Sequence, residues 1–176
     1  MKKYLLICLL LTTGFAASAQ KFAYVDTEYI LKHLPEYKSS LNQLNVLSEQ
    51  WQKEVDGNFL EIDKMYKAYQ ADQVLLTADM RKRRENEIIE KEKDAKDLQR
   101  KIFGPDGDLF QNRTKLLNPI QEKVAKAIGE VAKAKFFDFI FDKSSEATMM
   151  IYASSNYDVS NDVIVRLGYK PGSILK

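Results

Sequence analysis

The stretch YKSSLNQLNVLSEQWQKEVDGNFLEIDKMYKAY, residues 37–69, decides the fold. Its apolar side chains fall at Tyr37, Leu41, Leu44, Leu47, Trp51, Val55, Phe59, Ile62, Tyr66 and Tyr69, in steps of three or four residues throughout. That spacing places them on one stripe of an α-helix, the pattern of a coiled-coil seam. Pro35 stops a shorter preceding helix. The long helix is expected from Glu36 to near Ala71, about 50 Å at 1.5 Å rise per residue. Gly57 costs it about 1 kcal/mol relative to alanine and reads as tolerated.

Beyond Ala71 the chain must turn back. Residues 72–79 hold the apolar triplet Val74, Leu75 and Leu76, and Thr77 suits the N-cap of a new helix, Ala78–Phe103. This second helix is densely charged. Glu87/Lys91, Glu92/Lys96 and Asp97/Lys101 are (i, i+4) pairs in the favourable order. Its apolar seam is thin, limited to Met80, Ile88, Ala95, Leu98 and Ile102. Two long helices joined by a short loop are antiparallel neighbours, so the chain is expected to build a helical hairpin with much wet surface. IFGPDGDLF, residues 102–110, then breaks the returning helix. Gly104 fits a C′ position, Gly104-Pro105-Asp106-Gly107 fits a type I turn, and Asp108 with Gln111 fits a capping box that restarts the helix. At Asn118-Pro119 two readings stay open, a fresh start at Pro119 or a continuous, kinked helix. Beyond it, Val124, Ala125, Ile128, Val131 and Ala132 form the expected buried face.

The two ends of the chain read differently. Lys2-Lys3, an apolar run and Ala17-Ser18-Ala19 form a secretory signal peptide over residues 1–19. Its removal takes the only cysteine, Cys8, and with it disulfides and thiol chemistry. Of the chain's 27 basic and 25 acidic residues, two lysines lie in that leader, which leaves a mature chain of zero formal charge. No general polyanion-binding surface is implied, and no nucleic-acid partner. Residues 21–25 read as a strand, with Asp26 or Thr27 capping a helix over 28–34. Residues 136–141 and 148–153 read as two more strands. Ser160 is the expected cap of a helix over 161–167 ended by Gly168, and residues 169–176 form a loose tail. Three strands bury little alone. Val25, Phe139, Phe141, Met150 and Ile151 need more partners than the chain supplies, which implies oligomerisation with sheets joined between subunits.

FAYVDTEYIL near the N-terminus and FFDFIFDKSSEATMMIYASSNYDVSNDVIVRL near the C-terminus flank the long hairpin. This ordered set, behind a signal peptide, resembles the Skp/OmpH family of periplasmic chaperones over essentially the whole mature chain. The expected fold is therefore α+β and mostly helical. A hairpin arm over residues 36–118, with a break at 104–107, projects from a small β body of residues 20–35 and 119–168. The resemblance implies that the body is completed by trimerisation. It also implies an ATP-independent periplasmic holdase that holds unfolded outer-membrane proteins in a cavity between the arms. The family's best-known members are strongly basic, whereas this mature chain is neutral, so no lipid-binding residue is carried over.

Catalysis finds no support. His33 is the lone histidine and reads as a packing or surface residue, and no phosphate loop or nucleophile elbow occurs. A calcium loop beginning at Asp106 requires an oxygen ligand fifth and glycine sixth, where the sequence has Phe110 and Gln111. No metal or cofactor is expected. Client contact is assigned to Tyr66, Tyr69, Val74, Leu75, Leu76 and Met80, as many weak apolar contacts rather than a pocket. Arg81, Lys82, Arg83 and Arg84 are cations at a helix N-terminus, mildly unfavourable for the dipole, and are assigned to transient contact with an anionic membrane surface. Gly104, Pro105, Asp106 and Gly107 form the arm joint. The rival is a structural or adaptor coiled coil of the cell envelope that binds one folded partner.

Overall fold

The computed structural model describes residues 20–172. The expected signal peptide and the last residues of the expected tail lie outside them. The elements are β1 (Phe22–Val25), α1 (Thr27–Lys32), α2 (Pro35–Asp72), α3 (Ala78–Phe103), α4 (Asp108–Lys135), β2 (Phe139–Asp142), a 3₁₀ turn (Ser155–Tyr157) and α5 (Ser160–Arg166). The chain divides into two compact units. One comprises the described segments up to His33 and from Val124 onward; the other is Leu34–Lys123.

In the first unit β1 pairs with β2 in parallel, Phe22 opposite Phe139 and Val25 opposite Asp142. A parallel pair needs a crossover, and here all the intervening chain supplies it. On the other side of β1, Tyr24 makes one bridge to Asp158, and the Val159 N–H donates to the Tyr24 carbonyl at 3.0 Å. Ala23, Tyr24 and Val25 are buried, as are Ile30 of α1 and Val163 and Ile164 of α5, which packs on α1. The Asp26 carboxylate caps α1 by accepting from the Tyr29 N–H at 2.9 Å. Ion pairs Lys135–Asp162 at 2.6 Å and Arg166–Glu130 at 2.5 Å tie α4 to α5. Asp142, at the end of β2, receives four hydrogen bonds. They come from the Thr27 N–H (3.2 Å) and hydroxyl (2.6 Å) and from the Ser144 N–H (3.0 Å) and hydroxyl (2.8 Å). Burial opposes ionisation of Asp142, but these donors outweigh it and hold the carboxyl below its ordinary value.

Three expectations change here. Residues 148–153 form no strand, because they find no strand partner within the described chain. β2 begins at Phe139 rather than 136, since Phe136 closes α4 and Asp138 exchanges hydrogen bonds with Lys21. Ser160 is the first helical residue of α5 rather than its cap. Its hydroxyl instead accepts the Asp26 N–H at 2.9 Å, and Asp158 accepts the Ser160 N–H at 2.9 Å. Gly168 ends α5 at φ +90°, as its position predicts.

In the second unit Pro35 opens α2 at a position where its missing N–H costs nothing. Gly57 sits inside the helix with open space around it. Thr77 caps α3 by accepting the Met80 N–H at 3.3 Å, and α2 and α3 pack as a hairpin. Gly107 N–H donates to the Gly104 carbonyl at 2.9 Å, the closing bond of the expected turn. Two details differ. Gly104 is the extended C-cap of α3, with φ −63° and ψ 168°, rather than a left-handed C′ residue. The capping box of Asp108 and Gln111 does not form, because the helix restarts one residue earlier. The Gln111 N–H donates to the Gly107 carbonyl and its side-chain amide to the Asp106 carbonyl at 3.1 Å. At Pro119 the helix continues, so α4 realises the unbroken alternative. Its buried positions are Leu117, Ile120, Val124, Ala127 and Val131, an alternation of three and four. Ala125, expected inside, is exposed.

Candidate functional site

The core of the hairpin is thin. Ile62, Ile88 and Ala95 form one buried cluster, with Phe59, Met65 and Tyr69 packed against it, and Leu44, Val55 and Ile102 are buried elsewhere along the two helices. The seam predicted from α3 holds at Ile88, Ala95 and Ile102, while Leu98 is half-buried and Met80 is half exposed. Polar bonds also cross between the two helices. The Tyr66 hydroxyl donates to Glu92 at 2.9 Å, the Tyr69 hydroxyl donates to Glu85, and Lys91 lies 3.6 Å from Glu61. The bond to Glu92 pushes the Tyr66 hydroxyl above its ordinary value, and the bond to Glu85 does the same for Tyr69. Two of the three expected intrahelical pairs are therefore rearranged. Lys91 reaches across to α2, Asp97 meets Arg100 at 3.6 Å, and only Glu92–Lys96 survives, also at 3.6 Å.

The assigned client residues thus separate into two groups. Tyr66 and Tyr69 link the helices through their hydroxyls; the Tyr69 side chain packs on the buried cluster, whereas Tyr66 is exposed. Val74 and Leu75 sit in the connecting loop, 90% and 82% exposed, with Met80 half exposed and Leu76 half-buried beside them. This loop is short because Leu75 N–H closes a turn on the Asp72 carbonyl at 2.8 Å. Arg81, Lys82, Arg83 and Arg84 come next, within the first turns of α3, all exposed. The loop apolar residues and the four cations are therefore neighbours in one place.

Gly104, Pro105, Asp106 and Gly107 form a tightly built turn. A Cβ on Gly107 would lie 2.5 Å from the Ile102 carbonyl oxygen, and one on Gly104 2.4 Å from that of Arg100. Both glycines are needed for this close approach. The Tyr66–Glu92 and Glu61–Lys91 contacts set the register of the hairpin. Among the described residues no cluster of three His, Cys, Asp or Glu is placed to hold a metal. His33 is buried, 2% exposed, with Nδ1 2.8 Å from the Tyr29 carbonyl oxygen.

A second surface was only partly legible in the sequence. In the first unit Phe22 stacks on Phe139 and Phe141, with ring centroids 5.7 and 6.3 Å apart, yet all three rings stay about half exposed. Beside them lies an open groove of about 730 Å³, lined by Phe22, Tyr24, Phe137, Phe141, Met150 and Tyr152 among others. Met150, Tyr152 and Ala153 line it from a segment without regular secondary structure. Met149, Ile151 and Tyr152 are 90%, 93% and 85% exposed. Of the residues read as short of partners, Val25 is satisfied within the chain and Phe139, Phe141 and Ile151 are not.

A family model for outer membrane proteins of the OmpH-like type matches residues 21–167. The chain belongs to the OmpH-like family. The match includes β1, the hairpin, β2 and α5, hence both compact units. Among solved structures, an OmpH-like protein from Caulobacter crescentus, assigned as an outer membrane chaperone, is similar. It has a TM-score of 0.67 at 16% identity over 86% of each chain. At that identity the likeness speaks for the OmpH-like fold, mostly helical with a long hairpin and a small sheet. No curated protein matches the sequence.

Proposed function

We propose that this OmpH-like protein is an ATP-independent holdase of the periplasm, exported by a cleaved signal peptide. It captures unfolded outer-membrane proteins between the hairpins of a homotrimer and keeps them from aggregating. The observation that carries the reading is the hairpin itself. It is long, only a few of its side chains are buried, and its loop leaves Val74 and Leu75 almost wholly exposed. Such a surface offers many weak contacts and no pocket. Release then needs no energy source, because a client leaves for any stronger acceptor. No bond chemistry and no cofactor enter. The exposed Phe22, Phe139 and Phe141 rings support self-assembly of the first unit, since contiguous apolar surface of this kind marks a contact site.

Two regional roles belong to the same proposal. Arg81, Lys82, Arg83 and Arg84 attract anionic membrane surfaces or acidic client segments; unchanged client capture and vesicle association after reversal of all four charges would reject this. Gly104–Gly107 acts as a joint in the returning arm, so that a helical tetrapeptide there narrows the range of client sizes held. The decisive test is mixing the purified mature protein with an unfolded β-barrel protein and measuring light scattering and complex mass. A stable complex of defined stoichiometry with no scattering is expected. Failure to suppress aggregation, with tight binding to one folded envelope protein instead, would favour the adaptor reading.

A further inference from the structure

Phe136 is exceptional on two counts. Its backbone lies at φ 59°, in the left-handed region, where it is the only non-glycine residue among those described. Its side chain is 79% exposed. The backbone has a local cause. α4 ends with the Phe137 N–H donating to the Ala132 carbonyl at 2.9 Å and the Phe136 N–H to that of Lys133 at 3.4 Å. This type of helix end satisfies the last carbonyls by turning one residue left-handed, and glycine is the residue that does so without strain. The same chain uses glycine for that task at Gly168, where Tyr169 N–H donates to the Ile164 carbonyl at 3.0 Å. A bulky aromatic in this conformation is strained. Within its own chain Phe136 recovers little from packing to offset that strain.

The surroundings indicate what could offset it. Immediately after Phe136 come Phe137, which lines the groove, and Phe139, which stacks on Phe22. From Met149 to Ala153 only the Met150 N–H has a backbone partner among the described residues. The described chain therefore carries an irregular segment with few backbone partners, a two-stranded sheet with an open β2 edge, and an aromatic groove. A second copy supplies the complement of each, so these parts are self-complementary.

We infer that Phe136 is an assembly anchor, held outward by a strained helix end so that its ring docks on a second copy of this chain. The inference rests on the self-assembly proposed above. The test uses the full mature chain with Phe136→Gly and Phe136→Tyr, followed by sedimentation across a concentration series and by exchange between labelled subunits. Thermal unfolding is read at concentrations where the chains are unassembled. Phe136→Gly relieves the strain and should raise that midpoint by about 4 °C, while weakening association at least tenfold. Phe136→Tyr should match wild type in both. Three results would overturn the anchor: unchanged association in Phe136→Gly, a lowered midpoint of the unassembled chain, or lost client protection with association intact. The underlying reading fails separately, through a wild type of single-chain mass at every concentration.

Discussion

Ile88→Ala tests how the hairpin is held. Ile88 is 3% exposed and packs in the cluster with Ile62 and Ala95. The substitution removes three carbon atoms, worth about 0.8 kcal/mol each in transfer, and leaves a cavity with its own cost. About 3 kcal/mol is therefore expected, within the range for isoleucine truncation. That corresponds to roughly a hundredfold increase in opening of the surrounding helices. Little else in the upper hairpin can compensate, because the nearby links are the Tyr66–Glu92 and Tyr69–Glu85 bonds and the Lys91–Glu61 pair. Native-state hydrogen exchange reads the result directly. Amides around residues 59–69 and 85–98 should exchange about a hundredfold faster, while those of β1, β2 and α5 keep wild-type rates, since they belong to the other compact unit. Equal acceleration in both units would refute the independence on which this reasoning depends. No acceleration in either would show that the seam is not what holds the hairpin.

Asp142 gives a pH signature. Its carboxyl is depressed when folded, so the unfolded chain binds the proton more tightly. Its contribution is full above the ordinary carboxylate value near 4 and is lost as pH falls through the lower folded value. Asp142→Asn should cost about 1–3 kcal/mol at neutral pH and flatten the acid limb of a denaturation series. Gly107→Ala places a Cβ 2.5 Å from a backbone oxygen. Circular dichroism melts should show a loss of several degrees, with changed amide shifts confined to residues near 100–111 in NMR spectra. Tyr66→Phe and Tyr69→Phe each remove one bond to a carboxylate but keep the ring. Each should accelerate exchange in the upper hairpin less than Ile88→Ala, and client binding should persist, because the exposed loop is untouched. Val74→Ser with Leu75→Ser should do the reverse, weakening client capture at unchanged stability.

The long helices were legible because their signals are local. Three- and four-residue spacing and Thr77 as a cap are both fixed by neighbours in sequence, and α3 spans Ala78–Phe103 as expected. The small sheet was less so. Residues 148–153 have the composition of a strand, but a strand exists only through its partner, and the described chain provides none. The buried face of α4 was shifted because apolar alanines such as Ala125 and Ala127 look alike until the neighbouring element is known. At the candidate site, the exposure of Val74 and Leu75 came from their place in a short loop. The partners of Tyr66, Tyr69 and Lys91 did not, since cross-helix register depends on where the loop turns. Phe136 was read as a strand residue because nothing in its immediate sequence announces a left-handed helix end.

The parallel pairing of β1 with β2 joins segments 117 residues apart. With export as proposed above, N-terminus first, β1 would meet its partner only after the whole hairpin and α4 have passed. The hairpin, made of contacts between near neighbours, can form in that interval, whereas closing so long a loop is intrinsically slow. For that period Phe22, Tyr24 and Val25 are an aromatic, β-prone segment with no sheet to join. On that proposal the incomplete chain is briefly in the condition of its own proposed clients, and its folding yield should depend on copies that have already finished.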